Sequence, residues 1–234
     1  MSALGDHPYN KKDASKHVQT VDGFLVNDFL HDDNVSSALT YTARPDDIFV
    51  VSYPKCGTTW TQYIVFCVLN KGQPPEDYTD FMLRSPFLEL LGAESAHRTY
   101  TSLGIPTTAA CPTSTTCETR PSTTTEATLD EFVDVFVEGK VSCGDYFNHL
   151  IPWYEHRNDE NVLLITYERL KEDTGGAVLD IADFLGNQYG EELRRDTALF
   201  TKITDWCAPA ACAKPSARAS RPSCRTFSLS AEGL

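Results

Sequence analysis

The chain has 234 residues, enough for one α/β domain with a buried core. A formal charge of −13 and a pI near 4.8 argue against a nucleic-acid or anionic-membrane partner, because such partners are held by clustered Lys and Arg. No apolar run is long enough to cross a bilayer, and residues 1–10 carry no signal-peptide core, so a cytoplasmic location is expected. The eight cysteines are then expected as thiols. None forms a CxxC pair, and no histidine lies near the loosely spaced pairs Cys111/Cys117 and Cys207/Cys212, so no metal centre is expected.

Along the chain, residues 1–20 are polar and are expected to form a mobile arm. Residues 21–29 read as a short extended segment and 32–42 as a short helix. The run Ile48, Phe49, Val50, Val51 is apolar and β-branched, the pattern of a buried parallel strand over 48–52. A helix is expected from about Thr58, with Trp60, Ile64, Val65, Val68 and Leu69 in its apolar pattern and a stop at Asn70-Lys71-Gly72. A short apolar helix follows over 79–91. Residues 99–125 are rich in Thr, Ser, Pro, Ala and Cys and have no periodicity with which to bury a face. Globular patterning resumes at Leu129. Helices are expected over 143–156, 176–185 and 191–203, with a second strand over 162–166. The domain thus runs over 21–206 with an interruption at about 97–127, and 207–234 reads as a disordered tail.

The most informative stretch is the joint Tyr53-Pro54-Lys55-Cys56-Gly57-Thr58-Thr59-Trp60 between the first strand and its helix. The first N–H groups of a helix have no partner inside it, and the helix dipole favours negative charge there. Gly57 lets the backbone approach an oxyanion closely, Thr58 and Thr59 add hydroxyl donors, and Lys55 adds a positive charge. An ordinary strand–loop–helix joint with a capping threonine is the plainer alternative. A nucleotide kinase or other P-loop phosphotransferase is another, although the lysine precedes the glycine and no Gly-Lys-Ser/Thr turn is present.

This loop resembles the 5′-phosphosulfate loop of the cytosolic sulfotransferases, which use 3′-phosphoadenosine 5′-phosphosulfate (PAPS) as sulfuryl donor. The resemblance covers about 21–92 and 128–203. It takes in Arg44-Pro45-Asp46-Asp47, the run from Arg84 to Glu89, the run from Glu138 to Ser142 with Gly144, Tyr146 and Trp153, and Val162 to Glu168. It implies an α/β fold with a P-loop-like parallel sheet flanked by helices. It also implies transfer of a sulfuryl group from PAPS to a small hydroxyl or amine acceptor, with no metal. Lys55 would act on the leaving group. Cys56, Gly57, Thr58 and Thr59 would hold the phosphosulfate, Trp60 and Tyr167 would flank the adenine, and Phe29 and Phe87 would line the acceptor pocket. Core packing is the competing role for the four aromatic residues.

The same resemblance predicts a Lys-Thr-His-Leu-Pro strand with the general-base histidine, an Arg-Asn-Pro-Tyr-Asp-like turn for the 3′-phosphate, and a C-terminal Arg-Lys-Gly segment. This chain has none of them. One coding of a strand Val-Thr-Arg-Asn-Pro-Tyr-Asp-Cys-Cys-Val, read from its second base, gives Ser-Leu-Gly-Ile-Pro-Thr-Thr-Ala-Ala-Cys, the sequence of residues 102–111. The segment therefore reads as a frame-shifted stretch, with a natural Thr-rich insert as the alternative. Loss of interior strands leaves the sheet incomplete. A catalytically impaired relative with weak or no nucleotide binding is the corresponding alternative function. The acceptor and the oligomeric state are not legible.

Overall fold

The computed structural model describes residues 18–98 and 129–208. Most of the arm expected over 1–20, the bulk of the interruption at 97–127 and nearly all of the tail lie outside the described residues.

The chain opens with an antiparallel hairpin, β1 (Val18–Val21) and β2 (Phe24–Asn27), in which Val21 pairs with Phe24. Its two-residue turn is Asp22-Gly23, with φ of +48° and +86°. That dipeptide is the strongest short hairpin signal, because both central positions need positive φ. β1 starts at Val18, so the folded part begins inside the stretch set apart as an arm.

α1 (Asp32–Leu39) follows, and then a segment over 48–52 without regular secondary structure leads to α2 (Thr58–Leu69). α2 is the central helix. Trp60, Ile64, Phe66, Cys67 and Val68 are all buried, so it is enclosed nearly all round. It stops as expected: Asn70 caps it, and Gly72, at φ +68°, donates its N–H to the Cys67 carbonyl at 2.8 Å. The helix expected over 79–91 is two pieces, α3 (Tyr78–Arg84) and α4 (Leu88–Leu91), because Pro86 lies between them. A 3₁₀ turn (Ala93–Arg98) ends this half.

α5 (Leu129–Val137) and α6 (Tyr146–Glu155) precede a second segment without regular secondary structure, over 162–165. Then come α7 (Tyr167–Glu172), α8 (Thr174–Leu185), α9 (Asn187–Arg195) and α10 (Thr197–Cys207). Their starts follow local chemistry. Asp145, Thr166, Asp173 and Asp196 each accept a backbone N–H with the side chain at the N-cap. α8, α9 and α10 pack on one another, α8 and α10 also on α2, and they enclose Leu170, Ala177, Val178, Ile181, Leu193 and Ile203.

The two segments expected as strands carry no regular secondary structure, and among the described residues neither is hydrogen-bonded into a ladder. The hairpin is the only sheet among the described residues. Strand direction is a local property, but a ladder needs a neighbour at about 4.8 Å. Neither segment has one among the described residues. No helix among the described residues is long and apolar enough to cross a membrane.

Candidate functional site

The joint between segment 48–52 and α2 has the backbone its sequence requires. Lys55 sits at φ +69° and Gly57 at φ +97°, so the chain reverses tightly before the helix begins. A Cβ at Gly57 would lie 3.2 Å from Tyr167 Cδ2, so glycine is demanded both by conformation and by space. Gly57 is also the N-cap of α2, and no side chain caps the helix. The Thr61 N–H is taken by the Gly57 carbonyl at 2.9 Å, while the N–H groups of Thr58, Thr59 and Trp60 have no acceptor among the described residues. No acidic residue stands in the first turn. The result is a cluster of outward donors at the positive end of a helix dipole, with the exposed Lys55 alongside.

The surroundings fix this loop. The Ser52 and Thr58 hydroxyls are hydrogen-bonded to each other across the turn. Cys56 is buried, and Tyr53 is buried with its hydroxyl donating to the Gly144 carbonyl at 2.8 Å. Tyr53 packs edge-on against Phe136 and Tyr146, at centroid distances of 6.0 and 5.4 Å. Upstream, Asp47 anchors the entry to segment 48–52. It accepts the Tyr41 hydroxyl at 2.6 Å, the Arg44 N–H at 2.8 Å and two guanidinium N–H groups of Arg44. Burial alone would raise the Asp47 pKa, but Arg44 and Tyr41 together hold it at about 2.

Trp60 and Tyr167 meet edge to face, 5.7 Å between centroids at 72°. Trp60 is buried, and its indole N–H donates to the Cys207 carbonyl at 2.7 Å, tying α2 to the end of α10. Tyr167 is half-buried at the start of α7, beside Gly57. The structure thus brings Gly57, Trp60 and Tyr167 together. Phe29 lies on the turn after β2 and is 45% exposed. Phe87 is half-buried at the N-cap of α4. Neither makes a ring contact with the loop among the described residues.

Two titratable groups are enclosed by the fold, His149, which sequence reads as a solvated or satisfied helical histidine seven residues from His156 rather than as a base, and Glu89. His149 on α6 lies 5.9 Å from the Tyr53 ring, and burial lowers its pKa to about 4. Its Nε2 is enclosed without a hydrogen-bond partner. Glu89 on α4 has an enclosed Oε2 without a partner, and burial raises its pKa to about 7. Glu89 in turn adds to the upward shift of Cys143, whose main cause is burial. Glu89 closes the Arg84–Glu89 run, so position within that run was the available signal; the enclosure of His149 depends on Tyr53, far away in sequence. Among the described residues no group of three His, Cys, Asp or Glu side chains is arranged to hold a metal ion.

Comparison with known proteins gives a consistent result. A family model described as the sulfotransferase domain matches residues 45–121 and 113–202. The amine sulfotransferase of Oryctolagus cuniculus is 29% identical over 65% of this chain and 60% of its own length. Sulfotransferase 2B1 of Mus musculus is 30% identical over 65% of this chain and 54% of its own length. The chain thus spans less than two thirds of these curated relatives. Among solved structures, mouse sulfotransferase SULT7A1 complexed with PAP superposes with a TM-score of 0.61 and 24% identity, covering 87% of this chain and 78% of that one. Retinol dehydratase in complex with androsterone and inactive cofactor PAP gives 0.55 and 18%, covering 82% and 77%. These likenesses show an α/β fold of this type, here rich in helix.

Proposed function

The chain belongs to the sulfotransferase domain family, and from that premise we propose that it transfers a sulfuryl group from PAPS to a small hydroxyl or amine acceptor. One observation carries the reading: the α2 N-terminus offers three backbone donors with no acceptor among the described residues, beside Lys55, with Gly57 in the left-handed conformation. That arrangement suits a compact oxyanion with its charge at one end. It fits the 5′ end of the donor. No partner for a 3′-phosphate is evident among the described residues.

In this reading the amides of Gly57, Thr58 and Thr59, the Thr58 and Thr59 hydroxyls and the backbone at Cys56 hold the phosphosulfate. Lys55 places its ammonium where negative charge grows on the leaving oxygen, a purely electrostatic contribution. Trp60 and Tyr167 form a wall for the adenine, with Trp60 braced by the Cys207 carbonyl. Phe29 and Phe87 lie toward the acceptor. PAPS, when bound, supplies the activated sulfuryl group, and the protein positions it. The curated relatives named as sulfotransferases and the PAP-bound neighbours support this choice of donor. The reading retains a cytoplasmic location and no metal, nucleic-acid or membrane partner.

A second reading is favoured by the two segments without a ladder and the missing base: an impaired member that holds nucleotide weakly and transfers nothing. Calorimetry with 3′-phosphoadenosine 5′-phosphate against ATP separates the readings. Preference for the 3′-phosphorylated nucleotide supports the sulfotransferase site. Equal binding of ATP favours a phosphotransferase, and silence toward both favours the impaired member.

A further inference from the structure

The anion-binding loop and the helix it leads into belong to two different packed clusters. α2 lies in the main core with Trp60, Ile64 and Leu170. The turn before it lies in a second cluster, where Tyr53 and Cys56 are buried with Val135 of α5 and with Val141, and Phe136 and Tyr146 pack around them. The Cys56 N–H donates to the Tyr53 carbonyl at 3.2 Å and closes a four-residue turn. Proline is second in this turn and a positive φ is third, the pattern of a type II turn. That third position ordinarily takes glycine, yet Lys55 occupies it at φ +69°. A residue with a Cβ keeps such a backbone where its surroundings over-determine it. Here the two ends of the turn, Tyr53 and Cys56, are buried in the second cluster, while Pro54 and Lys55 at its tip are exposed. The Tyr53 ring lies against Phe136, Tyr146 and His149, at centroid distances of 6.0, 5.4 and 5.9 Å. Its hydroxyl is tied to the Gly144 carbonyl at 2.8 Å, on the link between α5 and α6. Burial holds the phenol well above its usual pKa range, so the hydroxyl stays protonated and keeps donating.

We propose that Tyr53 is a positioning residue of the loop: through it the α5–α6 cluster holds Lys55 in its left-handed turn, and nucleotide binding at the α2 N-terminus is thereby coupled to the packing of α5 and α6. The proposal rests on the sulfuryl-donor reading of the same loop. Tyr53 is enclosed, so it acts on a bound nucleotide only through the turn that carries Lys55. Coupling of this kind is reciprocal: a nucleotide that favours the held turn also favours the packed α5–α6 cluster.

The test titrates 3′-phosphoadenosine 5′-phosphate into the full-length parent, Tyr53→Phe, Lys55→Ala and the double variant. Tyr53→Phe keeps the ring and removes the tie to Gly144. Its affinity is expected to fall about fivefold or more. The double variant is expected to bind within about twofold of Lys55→Ala alone, because the residue through which Tyr53 acts is already gone. A merely structural role for Tyr53 would instead give additive losses. Additive losses therefore overturn the proposal, and so does an unchanged affinity in Tyr53→Phe. Hydrogen exchange on the unsubstituted chain decides the matter even where Tyr53→Phe does not fold. Saturating nucleotide is expected to slow amides of α5 and α6 by about threefold or more beyond any slowing in α9. Equal slowing in all three helices, or none in α5 and α6, overturns the proposal. A parent that binds no nucleotide removes the donor reading and the proposal together, whereas a parent that binds it with additive variants removes the proposal alone.

Discussion

The helical half of the molecule and the two segments expected as strands face the same solvent but stand in opposite condition. Helices α7 to α10 close their own backbone hydrogen bonds, cap their ends with Thr166, Asp173 and Asp196, and bury Leu170, Ile181, Leu193 and Ile203 against α2. Exposed ion pairs join their surfaces, with Arg194 bidentate on Asp183 at 2.5 and 2.6 Å and Lys71 on Glu192 at 2.8 Å. Segments 48–52 and 162–165 have suitable β sequences but no ladder among the described residues. The difference is that a helix is satisfied locally, whereas a strand is satisfied only by another strand. Among the described residues the helical core is closed while the two segments carry no ladder.

Core truncation should show this contrast most strongly. Phe81 is fully buried against Tyr63 and Phe66, so Phe81→Ala should cost about 3–5 kcal/mol in urea unfolding. Val50→Ala in the segment over 48–52 should cost about 1 kcal/mol or less, because part of its surface already faces solvent. Equal losses would mean that this segment is packed as tightly as the helical core.

A smaller effect is expected where the loop joins the two regions. Gly57→Ala places a Cβ at φ +97° and 3.2 Å from Tyr167, and should destabilise by about 1–3 kcal/mol. A thermal melt reads this directly, and an unchanged midpoint would show that the turn relaxes freely.

Asp47→Asn should cost about 1 kcal/mol, since its main partner Arg44 is 46% exposed and screened. The pH dependence carries a sign. The folded pKa of about 2 lies below the usual 3.8, so the Asp47 contribution is present above pH 3.8 and fades as pH falls toward 2. Acid unfolding followed by circular dichroism should lose that part of its slope in Asp47→Asn.

At Glu89 the effect is read from a pH slope rather than from a loss at one pH. Its folded pKa of about 7 lies above the ordinary 4.5, so its contribution is whole below pH 4.5 and is lost as pH rises through 7. His149, lowered from 6.5 to about 4, acts oppositely and favours the folded state above pH 6.5. Stability of Glu89→Gln should therefore fall less between pH 4.5 and 7 than that of the parent, and a parallel profile would show that the carboxyl is solvated.

What was legible from sequence follows the same division. The loop, the start of α2 at Thr58 and its stop at Asn70-Lys71-Gly72 were readable because each rests on adjacent residues. The Asp22-Gly23 hairpin was equally local and was passed over as a single extended segment. α7 was missed although Thr166 caps it, because the preceding apolar run drew the whole stretch toward strand. The edge-to-face contact of Trp60 with Tyr167, the Trp60 bond to Cys207 and the enclosure of His149 beside Tyr53 join residues far apart in the chain, so no local pattern announces them. The ladder state of 48–52 and 162–165 is likewise decided by neighbours.

Calorimetric titration of 3′-phosphoadenosine 5′-phosphate into the parent and into Lys55→Ala tests most directly whether the α2 N-terminus holds an anionic nucleotide. The affinity of the variant should drop about tenfold or more, with a melt run on both proteins so that lost binding is separated from lost fold. Equal affinity in the two proteins would contradict the account.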